Sequence, residues 1–270
     1  MAEFDPGYGQ EPYASLVRVC PGSEVYPLGD FRVEWGPIFH RGRLDATARV
    51  LVLGQDPAAH EGIARRILIG TAGRRLQGFL AKLGITTSYT MINTFVYSVY
   101  GQAAGNSHSH DAAIAAYRNR WLDALTASNP IEAIVALGSL ADTAFRRWAS
   151  TPAGGQYTGH YQHILHPTYP DSAAASGGDR AHAMATMLAN WNTALDVLHP
   201  AITPDVVTPL VHYGDDLTPS DLATIPERDL PAGLPAWMRS DEEWASRQGA
   251  TAADRRATIV VAIPADLRPF

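Results

Sequence analysis

The sequence predicts an α/β fold: a three-layer αβα arrangement around a central, mainly parallel four-stranded sheet, with a wrapped N-terminal arm and a C-terminal extension. Two observations carry it. Four short apolar runs recur along the middle of the 270-residue chain, and segments with apolar residues at helical spacing stand between them. Strands that alternate with helices are joined by crossovers, so neighbouring strands run parallel and both faces of the sheet are covered.

The first forty residues are dense in Gly, Pro and aromatics ("PGYGQEPY", "CPGSEVYPLGDF", "EWGPIFH") and read as an arm rather than a domain. "RVLVLG" (49–54) reads as the first strand and "GRRLQGFLAKLG" (73–84) as a helix after it. "TMINTFV" (90–96) is the second strand, followed by the helical "DAAIAAYRNRWLDALTAS" (111–128). "EAIVALG" (132–138) and "SLADTAFRRWA" (139–149) repeat the pattern, and "YQHILH" (161–166) is the fourth strand, ending on His166. A loop then leads to "RAHAMATMLANWNTALDVL" (180–198), another amphipathic helix. Residues 201–270 are Pro-rich and hold eleven acidic against six basic residues. "DLTPSDLATIPERDLPAGLPAWM" reads as extended chain laid on the core, and "ATIVVAIP" as an added edge strand. The expected division is residues 1–200 as one domain (core 48–198) and 201–270 as an extension packed upon it.

An apolar fraction of 46% is ordinary for a globular protein. No apolar run reaches the roughly 18 residues of a membrane span, and the N-terminus lacks a signal peptide's pattern, so the expectation is a cytoplasmic monomer. The single cysteine, Cys20, excludes an internal disulfide, a Cys-ligated iron–sulfur cluster and a Cys-rich zinc site; no cofactor is expected. Net charge is −6, yet Gly62–His110 contains no Asp or Glu against Arg65, Arg66, Arg74, Arg75 and Lys82. That segment is either a phosphate-facing surface or a solvated helix face.

In parallel sheets ligands bind beyond the carboxyl ends of the strands. Asp56 leaves the first strand, Asn93 lies in the second, Gly138-Ser139 follow the third and His166 ends the fourth. Gln55-Asp56 is more polarity than a turn requires.

These residues also carry a resemblance. "GQDPAAHEG" (54–62), "INT" (92–94) and "HPTYP" (166–170) resemble the three signature segments of the uracil-DNA glycosylase superfamily, and "GTAGRRLQGFLAKLGI" (70–85) and "IVALGSLA" (134–141) resemble its intervening stretches. The resemblance covers roughly residues 48–198. It implies hydrolysis of the N-glycosidic bond of a flipped-out base in DNA. Breaking that bond develops positive charge on the sugar and negative charge on the base. Asp56 suits the first charge and can orient the attacking water. The resemblance implies that His166, kept neutral, donates to the base. It likewise implies that Gln55 holds the water loop and that Asn93 pairs with the base edge. Thr71, Arg74, Arg75, Ser139 and Thr168 are expected to contact DNA, and Tyr169 to act as the wedge that replaces the flipped base.

Two departures matter for substrate. Ala58 stands where the best-known branch carries a Tyr that blocks the pyrimidine 5-position, and Leu68 stands where relatives stack a Phe on the base. Both widen the pocket toward a 5-modified pyrimidine, such as glucosylated hydroxymethylcytosine of phage DNA, alongside uracil or another deaminated base. The single lysine, Lys82, is expected on a helix away from the strand ends, which disfavours a Schiff-base lyase step. Two other classes remain open: a metal-assisted hydrolase built on "HSHD" (His108, His110, Asp111), and a non-enzymatic nucleotide-binding module, although no Gly-rich phosphate loop occurs.

Overall fold

The computed structural model describes residues 8–240 and 243–268; the first seven residues of the expected arm lie outside that range. After helix α1 (Tyr13–Arg18), strand β1 (His40–Gly42) precedes β2 (Val50–Gly54). Helices α2 (Ala59–Ala64) and α3 (Thr71–Lys82) lead to β3 (Tyr89–Asn93). Then come α4 (Gln102–Ser107), α5 (Ala112–Ser128), β4 (Ala133–Leu137), α6 (Gly138–Ala149) and β5 (His160–Ile164). Helices α7 (Tyr169–Ala175) and α8 (Arg180–Leu198) complete this region, and the extension ends in β6 (Ala245–Ser246), α9 (Ala252–Ala257) and β7 (Val260–Val261).

The sheet has five strands in the order β1-β3-β2-β4-β5. The four expected strands are parallel to one another, and β1 pairs antiparallel with β3. That fifth strand corrects the four-stranded expectation. It is three residues long, "HRG", with buried His40 and Arg41 instead of an apolar run, so no hydrophobic pattern announces it. His166 is also shifted: β5 stops at Ile164, leaving His166 in the following turn.

Alternation along the strands divides the core. Leu51, Leu53, Ile92, Ile134 and Ala136 face a cluster with α1, α5, α6 and the arm's Tyr26 and Phe31. Val50, Val52, Met91, Val135 and Ile164 face the opposite cluster with Leu76, Phe79 and Leu80 of α3 and Met187, Leu188 and Trp191 of α8. The period of two in the strands thus feeds two layers of helices.

The extension is fastened by charge. Asp229 receives Arg41 at 3.0 Å and Arg43 at 2.9 Å, with all three side chains buried, and the Tyr89 hydroxyl donates to it. Asp221 pairs with Lys82 at 2.8 Å. Asp205 accepts from the backbone amides of Thr86, Thr87 and Ser88 and pairs with Arg49. The "ATIVVAIP" segment, expected from sequence to add an edge strand, does not join the main sheet. Its Val260–Val261 pairs with Ala245–Ser246 in a separate ribbon. No helix among the described residues is long and apolar enough to cross a membrane.

Candidate active site

Strand order reverses at β2: the chain passes from β2 to β3 on one side and later returns to place β4 on the other. Such a switch point leaves a crevice beyond the strand ends. A cleft of about 480 Å³ lies there, lined by Gln55, Asp56 and Ala58 after β2, Gly138 and Ser139 after β4, and His166, Thr168 and Tyr169 after β5.

Asp56 is held from two sides. The Val99 amide donates to its Oδ2 at 3.0 Å and the Gln55 side chain to its Oδ1 at 3.0 Å; Gln55 also donates to Gln102. Desolvation outweighs these donors and pushes the carboxyl up to about 6, with buried Glu61 adding in the same direction. Val99 owes its position to the arm. Phe31 bridges it antiparallel, the Arg32 amide donates to the Ser98 carbonyl and the Tyr100 amide to that of Asp30. The sequence reading missed this role of the arm, which a two-residue bridge leaves without a pattern.

His166 has a defined tautomer. The Thr168 backbone N–H donates to its Nδ1 at 3.2 Å, so Nδ1 accepts and the proton sits on Nε2. Burial, with the nearby Arg75 charge, depresses the imidazole to about 4. The ring is therefore neutral at pH 7 and offers an N–H donor. Gly138, at φ +80°, permits the abrupt turn from β4 into α6 and leaves room for the His166 Cβ. Helix α8 steadies the approach: Leu165 donates its amide to Asn190 and accepts from the Trp191 indole.

Asn93 is 4% exposed, and among the described residues neither atom of its amide has a hydrogen-bond partner. An unmet buried amide costs about 1–3 kcal/mol per group, so one in a folded protein asks for a partner supplied from outside. A side chain at Gly54 would collide with the Asn93 oxygen and meet Leu68. The absence of one brings Asn93 and Leu68 together at the end of β2, beside Asp56. Leu68 sits in the left-handed region (φ 53°), a conformation costing a bulky residue about 1–3 kcal/mol. Gly73 makes this possible, since a Cβ there would overlap the Leu68 carbonyl. Glu61 closes the same loop, accepting from the amides of Ala58 and Ile69.

The structure does not gather every expected residue. Ala58, Ser139 and Tyr169 are exposed at the cleft, while Leu68 and Asn93 lie buried behind its lining. Thr71, Arg74 and Arg75 line a second cavity of about 380 Å³ with Arg180. The basic segment is not a solvated phosphate-facing surface throughout. Arg65 donates to the Trp35 and Pro37 carbonyls, Arg75 to the Pro167 carbonyl and Asp171, and Lys82 pairs with Asp221. An Arg turned inward leaves no trace in a charge count. Gln102, His163 and Ser172 also line the cleft; the sequence reading did not select them, because they fall outside the motifs.

The "HSHD" ligand set is not gathered round one ion, although His108 Nδ1 lies 3.7 Å from Asp111 Oδ2. His108 contacts Asp30 and Phe31, His110 accepts from Arg147, and Asp111 caps α5 through the amides of Ala113 and Ile114. Among the described residues no group of three or more His, Cys, Asp or Glu is placed to hold a metal ion.

No curated protein matches the chain. Residues 41–200 match the family described as Uracil DNA glycosylase superfamily, and that span takes in β2 to β5, the cleft and the helices that hold it. With more than half its length matched, the chain belongs to the uracil DNA glycosylase superfamily, which supports a DNA glycosylase-like function.

Proposed function

We propose that the protein is a monofunctional DNA glycosylase, with residues 1–200 as its catalytic unit and 201–270 as a packed extension. The observation that carries this reading is the pairing of a half-buried, desolvated carboxylate with a neutral, Nε2-protonated imidazole across one cleft. In the proposed reaction the bond between C1′ and the base breaks, and its electron pair leaves with the base. The His166 Nε2–H stabilises that anion, as an oxyanion hole would. Asp56 faces the cationic sugar, orients the water and accepts its proton as the water oxygen bonds C1′. Asn93 supplies the missing partner to the edge of the flipped base, and Tyr169 fills the gap left in the helix. Lys82 is engaged by Asp221 and by the Tyr213 ring at 4.4 Å, which supports an outcome without strand cleavage.

The base we favour is a 5-modified pyrimidine, and an exposed Ala58 on the wall of a cleft of about 480 Å³ supports it. Glucosylated hydroxymethylcytosine would give the enzyme a place in defence against phage; uracil or hypoxanthine would place it in base excision repair. The test uses matched oligonucleotides bearing each base, with alkali to reveal abasic sites and Asp56→Ala as control. Release of the bulky base alone supports the favoured substrate, and Ala58→Tyr then abolishes it. Release of uracil or hypoxanthine alone overturns that choice. Silence on all substrates, with the control indistinguishable, overturns the glycosylase reading itself.

A further inference from the structure

The acidic extension ends in a segment of opposite character. Between Ala245 and Arg268 stand Arg247, Arg255, Arg256 and Arg268 against Asp254 and Asp266. The ribbon of β6 and β7 packs on α2: Trp244 meets His60 edge-on at 4.7 Å, and Ile259 lies over Gly62 with Trp35. Arg247 is thereby set over the Trp35 ring at 5.3 Å and donates to Ser98 Oγ at 3.0 Å; among the described residues its Nη1 has no hydrogen-bond partner. Arg256 lies over the Tyr100 ring at 4.5 Å, and Arg32 over the same ring at 4.3 Å.

These contacts surround the loop that holds Asp56, since Ser98 and Tyr100 flank Val99, and Gln102 lines the cleft. The Arg32 and Arg256 guanidinium groups on the one Tyr100 ring repel one another unless an anion joins them. Among the described residues, the carboxylates nearby answer only part of that charge. Glu34 accepts from the Tyr100 hydroxyl, Asp56 is committed to the site, Glu243 faces His60, and Asp254 caps α9. Arg256 is exposed and pairs with no carboxylate among the described residues. Stacking on an aromatic fixes a guanidinium while leaving its N–H edge to bind oxygen.

We infer that the C-terminal ribbon is a DNA-backbone contact of its own, in which Arg247 and Arg256 take phosphates of the strand entering the cleft. The inference rests on the DNA glycosylase reading. It assigns to the extension the electrostatic task that the inward-turned Arg65, Arg75 and Lys82 do not perform.

The experiment measures binding to a duplex with a tetrahydrofuran abasic analogue, which needs no knowledge of the base, from about 50 to 300 mM salt. For Arg247→Ala/Arg256→Ala the slope of log K against log salt is expected to fall by roughly 1–2 relative to the unaltered protein. Arg256→Lys, which keeps the charge, retains nearly the full slope. Arg256→Gln changes one exposed residue and serves if the double variant does not fold; its slope falls by roughly 1. An unchanged slope in folded double variant or Arg256→Gln protein overturns the ribbon's role and leaves the glycosylase reading standing. Failure of the unaltered protein to bind either abasic or plain DNA overturns both.

Discussion

Asp56 is held as a weaker acid than usual, and two predictions follow from its position near 6. The carboxylate is the working form, so log kcat/KM rises with slope up to 1 below pH about 6 and levels above it. His166, depressed to about 4, stays neutral over that range and adds no second inflection between pH 5 and 8. Asp56→Asn lowers kcat by about 10²–10⁴-fold and flattens the profile, read from single-turnover rates. The same shift has an opposite effect on stability. An acid whose folded pKa is raised binds more protons when native, so its contribution falls as pH climbs from about 4 to 6. Asp56→Asn is therefore expected to melt higher than the unaltered protein at pH 7.5, by roughly 2–4 °C per kcal/mol regained, the gap closing below pH 4. Equal melting temperatures at pH 7.5 would contradict that reading. At this scale the sequence was eloquent where chemistry is local: Gln55-Asp56 is too polar for a turn. It was silent on the Val99 amide, because a backbone donor has no letter of its own.

Among the elements, the strand-end turns are set by helices that never touch the cleft. Arg75 of α3 donates to the Pro167 carbonyl at 2.6 Å and to Asp171 of α7 at 2.6 Å, tying the turn after His166 to a helix on one face of the sheet. Arg75→Ala removes that tie and a positive charge beside the imidazole. The expected outcome is a lower rate, by roughly tenfold, with the His166 pKa moved upward, seen by NMR titration of the ring. Arg75→Lys restores the charge without the guanidinium Nη1 that makes both bonds, and recovers the pKa more than the rate. Alternation and helical spacing made β2, β4 and the long helices legible, and α8 falls at the residues expected. Strand β1 was not legible, since its buried Arg41 is compensated by Gln77 and Asp229, the latter 188 positions along the chain. A partner so distant leaves no periodicity behind.

Across the whole molecule, the extension is an integral layer. Asp229 is the shared counter-ion of Arg41 and Arg43. Asp229→Ala leaves buried guanidinium charge unmatched and is expected to cost about 3–5 kcal/mol, measured by urea unfolding. Asp205 sits at about 2, below the ordinary range, through the backbone amides of Ser88, Thr87 and Thr86. Its folded pKa is depressed, so its contribution is complete above pH about 4 and is lost as pH falls toward 2. Asp205→Asn is accordingly less stable than the unaltered protein at pH 5, and the two converge near pH 2. Charge counting marked the extension as acidic but gave no sign that its acids meet buried arginines.

The amide of Val99 that steadies Asp56 has a consequence for how such a protein drifts over generations. Every amino acid but proline carries that N–H, so the clamp itself asks nothing of the side chain at 99; what constrains Val99 is its burial in the core beside Phe31 and Phe95. Inheritance protects the contact through residues that pin the main chain around it, Phe31 and Arg32 among them. Val99→Pro, which removes the donor, is expected to silence the aspartate in one step.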